Sequence, residues 1–126
     1  FMELLGDDAG RTKVMLANKD ETKAVSVSFA LKELPCFTLW RNTAAIEDGY
    51  VTGLEPGTSF PNTRRFERGR NRVIKLEPKG KYRSEVTLSA YISKNEVEGA
   101  IHDIEKIRGG TKPTVFKEPH GDFSPV

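Results

Sequence analysis

Apolar and polar positions alternate along much of this chain. Val25, Val27, Phe29 and Leu31 stand against Ser26, Ser28 and Ala30, and Val86, Leu88, Ala90 and Ile92 stand against Glu85, Thr87, Ser89 and Tyr91. A period of two is the mark of a strand with one buried face. Shorter runs of the same kind lie at 13–17, 36–41, 50–54 and 72–76. Turn residues separate them: Asn18 to Asp20, Leu34-Pro35, Asp48-Gly49, Pro56-Gly57 and Pro78 to Gly80. Strands at this spacing predict a mainly β fold, an antiparallel sandwich or barrel.

One stretch changes period. Val97, Ile101 and Ile104 recur at helical spacing, with Ala100 and Ile107 beside them. Ser93, with Glu96 three residues on, forms a capping box, and Gly109-Gly110 ends the run. The pattern predicts one short amphipathic helix near the C-terminus, packed on the outside of a sheet. After it, residues 111–126 hold Pro113, Pro119 and Pro125 and show no period. They read as an extended arm following a main domain at 1–110.

Composition narrows the class. The 126 residues fit one domain, and 37% hydrophobic content suffices for a core. One cysteine, Cys36, excludes an internal disulfide, and in its apolar run it reads as an inert core thiol. No run approaches the length of a membrane span and no signal peptide opens the chain, so the expectation is a soluble, cytoplasmic protein without a membrane partner. The chain opens Phe1-Met2, which suggests either an added residue ahead of the natural start or the edge of a cut.

Candidate chemistry is quickly pruned. His102 and His120 have no second ligand at a usual spacing, so no metal site is expected. Gly49, Gly53 and Gly57 are evenly spaced but lead into a proline turn, not into the helix N-terminus that a phosphate cradle needs. Arg64, Arg65, Arg68, Arg70 and Arg72 crowd into nine residues with Phe60 and Phe66 interleaved. Such a cluster suits a solvated face, a nucleic acid, or a small anionic or polyhydroxylated ligand. Glu67 inside the run and a net charge of only +2 argue against nucleic acid. Trp40, the one tryptophan, is either a core residue or a flat platform for a sugar. Glu55 reads as a carboxylate at a strand end, where a fold would hold a general base or a ligand anchor.

The segments at 37–45, 47–62, 64–68 and 72–78, followed by the long strand from Tyr82, resemble an uncharacterised branch of the aldose 1-epimerase (galactose mutarotase-like) family. The resemblance covers about residues 24–107, and its most specific part is Leu54-Glu55 through Pro61-Asn62. It implies the C-terminal part of a large antiparallel β-sandwich adapted to carbohydrates. In galactose mutarotases a glutamate in a Leu-Glu-x-Gln-x-x-Pro-Asp segment is the general base, and Glu55 occupies the matching position. The spacing from glutamate to proline is one residue longer here, and Gly57, Thr58 and Asn62 stand where that pattern has Gln and Asp.

The resemblance implies an isomerase that interconverts the anomers of a sugar or sugar derivative by acid–base ring opening, without metal or organic cofactor. Glu55 is then the catalytic base. Trp40 walls the pocket, and Thr58, Asn62, Arg64 and Arg65 orient hydroxyls or an anionic group. The family's catalytic histidine comes from an earlier part of a longer chain, and neither His102 nor His120 lies in a matching context. The expected partners are a small carbohydrate and the remaining N-terminal part of the fold, possibly as a separate chain. Two other readings stay open: a non-catalytic carbohydrate-binding module, and a structural β domain in which Glu55 pairs with Arg64 or Arg65.

Overall fold

The computed structural model describes residues 1–125. It holds five strands, β1 (Arg11–Ala17), β2 (Ala24–Ala30), β3 (Cys36–Arg41), β4 (Thr52–Gly57) and β5 (Val86–Tyr91), two α-helices, α1 (Arg64–Gly69) and α2 (Lys94–Arg108), and a single 3-10 turn at Ile46–Asp48. The fold is mainly β, with antiparallel sheets and one main helix near the C-terminus. The chain divides into two compact units. One comprises Leu4–Glu33 and Arg83–Val115, the other Phe1–Glu3, Leu34–Tyr82 and 116–125.

The first unit is a three-stranded sheet in the order β1-β2-β5 with α2 against β1. Its register fixes which side chains share a face. Leu16, Val25 and Ala90 form one row, Val14, Val27 and Leu88 the next, and Thr12, Phe29 and Val86 a third. This is the apolar face read from the alternation in β2 and β5, yet it is only partly covered. Val27 and Phe29 are buried, whereas Leu16, Val25 and Val86 are exposed and Leu88 is 78% exposed. The opposite face carries Lys13, Met15, Ser26, Ser28 and Tyr91. Here Ser26 is buried, its hydroxyl 3.0 Å from that of Tyr91, and Lys13 reaches Asp103 of α2 at 2.7 Å. The helix therefore lies on the more polar face.

The helix itself follows the expected local chemistry. The Ser93 hydroxyl accepts from the Glu96 N–H, and the Glu96 carboxylate accepts in return from the Ser93 N–H. Hydrogen bonds to its carboxylate from the Ile92 backbone N–H, the Ser93 hydroxyl and the Ser93 backbone N–H hold the Glu96 carboxyl below its ordinary range. Gly109 ends the helix in the left-handed region at φ 56°. Val97 and Ala100 are its buried residues.

The second unit is built on the β3–β4 pair, with Met2 bridged to Phe37 on the other side of β3. Cys36, Phe37 and Thr38 are buried, and burial pushes the Cys36 thiol up from its ordinary value.

Three expectations are corrected here. The strand near Glu55 starts at Thr52 and runs on to Gly57, so Pro56-Gly57 is part of the strand and not its turn. A two-stranded pair has free edges, so a proline without an N–H is tolerated within it. Residues 72–76 form no strand. Instead, the Arg72 backbone N–H bonds the Glu67 carbonyl, and its side chain turns to the Glu67 carboxylate. The arginine-rich stretch adds a second helix to the one expected: Arg64–Gly69 form a short helix whose cap is Thr63.

Candidate functional site

All six residues singled out from the sequence belong to the second unit. Cross-strand register places Glu55 opposite Thr38 and Gly53 opposite Trp40. Residues two apart on a strand face the same way, so Glu55, Thr38 and Trp40 share one face of the pair. Trp40 is 48% exposed and presents much of its indole to solvent. Glu55 is exposed too, and among the described residues its carboxylate has no hydrogen-bond or ion-pair partner. An exposed carboxylate and a half-exposed aromatic surface thus share one face of the strand pair. Such a pair can accept a hydroxyl proton and hold the apolar side of a ring.

Beyond Glu55 the chain folds back tightly. A methyl group on Gly57, the last residue of β4, would lie 3.0 Å from the Ser59 carbonyl oxygen, so the backbone passes close by here. Thr58 follows, half-buried. Arg64 and Arg65 open α1, exposed and without an ion-pair partner among the described residues. Arg65 lines a shallow pocket with Thr63, Phe66, Gly69, Arg70 and Pro125, a group that does not include Glu55.

Asn62 is differently engaged. Its amide nitrogen donates to the Glu67 carboxylate at 2.8 Å and to the Phe123 carbonyl at 2.7 Å, which uses both of its N–H groups. Only its side-chain oxygen is left for a ligand.

The residue that sequence reading passed over is Glu67. It is 2% exposed and is the buried residue of α1. Its carboxylate accepts from Arg72 Nε at 2.7 Å and from a second Arg72 nitrogen at 2.9 Å, as well as from Asn62 and from the Phe60 backbone N–H at 3.2 Å. The Arg72 bonds, helped by those from Asn62 and Phe60, hold its carboxyl below the ordinary range against the opposing effect of burial. Arg72 in turn lies over the Phe60 ring at 5.0 Å and donates to the Asp122 carbonyl at 2.8 Å. Arg70 bonds the Asp122 carboxylate and the Gly121 carbonyl, so residues 121–123 are tied to the same loop. His120 stacks on Phe116 in this segment, with ring centroids 4.1 Å apart. A Glu-x-x-x-x-Arg spacing beside two phenylalanines was the available signal, but spacing alone does not say that the pair is buried.

The loop therefore does contain a carboxylate–arginine pair, made by Glu67 and Arg72. Glu55 is left outside it.

A family model, described as a domain of unknown function (DUF4432), matches residues 1–90. The chain belongs to the DUF4432 family. No curated protein matches it. Among solved structures, this DUF4432 chain is similar to a putative aldose 1-epimerase from Klebsiella pneumoniae subsp. pneumoniae, with 34% identity and a TM-score of 0.81. The match covers 87% of this chain and 29% of that one, so the 126 residues span under a third of the relative's length. This likeness gives the DUF4432 chain a mutarotase-like fold, in agreement with the resemblance carried by Leu54 through Asn62. No helix among the described residues is long and apolar enough to cross a membrane.

Proposed function

We propose that this chain supplies the base side of an aldose 1-epimerase-like isomerase. Glu55 takes the proton from the anomeric hydroxyl of a sugar while an acid protonates the ring oxygen. The C1–O5 bond breaks, the C1–C2 bond rotates, and the ring closes on the other face. General acid and general base catalysis each contribute about 10²–10⁴-fold in such reactions. The observation that carries this reading is the Glu55 carboxylate, unpartnered among the described residues, on the same strand face as the exposed Trp40. A structural glutamate would be expected to be engaged, as Glu67 is.

In this scheme Trp40 backs the sugar ring, and Thr58, Arg64 and Arg65 orient its hydroxyls or an anionic substituent. Asn62 contributes through its carbonyl oxygen and through the loop it fastens. The acid comes from a part of the fold other than these 126 residues, in the same polypeptide or another. The uncovered face of Leu16, Val25, Val86 and Leu88 supports a need for that remainder, because an antiparallel sandwich buries such a face against a second layer. The free, buried Cys36 fits a reducing, cytoplasmic setting.

Polarimetry of the intact protein tests the reading, with neutral, phosphorylated and acidic aldoses as substrates. Faster anomer equilibration that disappears in Glu55→Gln is the expected result. Sugar binding with unchanged equilibration would favour a non-catalytic carbohydrate-binding module instead.

A further inference from the structure

We propose that Gly53 is a positioning residue for Glu55. Because it has no side chain, the Glu55 carboxylate can lie back along β4 toward the Trp40 position. This inference rests on the base reading above and adds what holds the base in place.

Glycine in the middle of a strand is unfavourable in itself, and it marks either an unusual backbone or a close approach. Gly53 is not among the glycines with positive φ, so the backbone does not require it. The close approach is present. A methyl group built on Gly53 would collide with Oε1 of Glu55 and would lie 3.0 Å from both Cδ and Cγ of the same side chain. All three nearest atoms belong to Glu55, and none is backbone. The carboxylate therefore occupies the space that any other residue at 53 would fill.

The register explains why this matters. Gly53 faces Trp40 across the strand pair, and Glu55 faces Thr38. By folding over Gly53, the carboxylate moves from the Thr38 row toward the Trp40 row. A ring resting on the indole then has the carboxylate at its edge. A side chain at 53 would push the carboxylate off this seat while disturbing only one exposed, flexible side chain. A small displacement of a base is enough to cost about 10²-fold in rate.

Gly53→Ala and Glu55→Ala, alone and combined, form the test. In urea unfolding, Gly53→Ala should raise the midpoint less when Glu55 is present than in the Glu55→Ala background, because only with Glu55 present must a side chain be displaced. Equal shifts in both backgrounds would overturn the inference. Should Gly53→Ala fail to fold, rescue by Glu55→Ala supports the contact, and failure in both backgrounds refutes it. In anomer equilibration, Gly53→Ala should lower kcat about 10- to 100-fold, with KM within about twofold, as expected for a displaced rather than a missing base. An unchanged kcat in that variant would sink the positioning role. If Glu55→Gln has undiminished rates, the base reading falls, and the unfolding cycle alone decides whether Gly53 seats the carboxylate.

Discussion

Glu55 and Glu67 are twelve residues apart in the same unit, and their surroundings are opposite. Glu67 is buried in α1 and accepts hydrogen bonds from Phe60, Asn62 and Arg72, two of which, Asn62 and Arg72, also bond residues 122 and 123. Glu55 is exposed, unpartnered among the described residues, and lies over a glycine beside an exposed indole. A carboxylate that accepts several donors stabilises a fold but cannot readily take a proton. One that is left free can. The contrast separates the scaffold of this region from its candidate chemistry, although both are glutamates in one short stretch.

The sharpest way to break the comparison is to remove the partner of the buried carboxylate. Arg72→Ala should lower stability by about 3–5 kcal/mol, because Glu67 would be left as an uncompensated buried charge; chemical unfolding measures this. Glu55→Gln should do the reverse. Equilibration should fall by about 10²–10⁴-fold, while the unfolding free energy stays within about 0.5 kcal/mol, as for an exposed site. If Glu55→Gln destabilised the fold strongly, the division of roles would be wrong.

Acid titration sharpens the same contrast. The folded pKa of Glu67 lies below its unfolded value, so the unfolded chain takes up the proton first as pH falls. The stabilisation is fully present above the ordinary carboxylate value of 4.5 and is lost as pH drops from there through the lowered folded pKa. Unfolding midpoints followed from pH 6 downward, at roughly half-unit steps, should fall more steeply in the wild type than in Glu67→Gln. Glu96 and Asp103, also held below their ordinary values, contribute to the slope in both proteins, so the difference isolates Glu67. The smallest effect is expected at Trp40. Trp40→Ala should weaken sugar binding by about 2- to 10-fold, read as a rise in KM, with little change in stability.

Much of this was legible in the chain. The helix Lys94–Arg108 could be placed from Ser93, Glu96, Gly109 and the spacing of Val97, Ala100 and Ile104, because its determinants lie within one short stretch. The strand Cys36–Arg41 was legible for the same reason. The likeness to mutarotases was carried by a contiguous motif around Glu55, and the family and structural matches agree with it. The short helix Arg64–Gly69 was not legible, since six residues with a threonine cap give too little periodicity. Nor was the loss of the strand at 72–76, where a side-chain bond to Glu67 displaces an otherwise suitable β run.

By itself, then, the sequence determined the mainly β architecture, the C-terminal helix and the segment around Glu55, all of which depend on neighbours within a few residues. Tertiary structure decided what depends on register and burial. The pairing of β2 with β5 brings residues more than fifty positions apart together. The cross-strand register sets Trp40 opposite Gly53, and burial sets Glu67 against Arg72. The physical reason is the same in each case: local propensity says which face a side chain takes, and only the folded chain says what is already there to meet it.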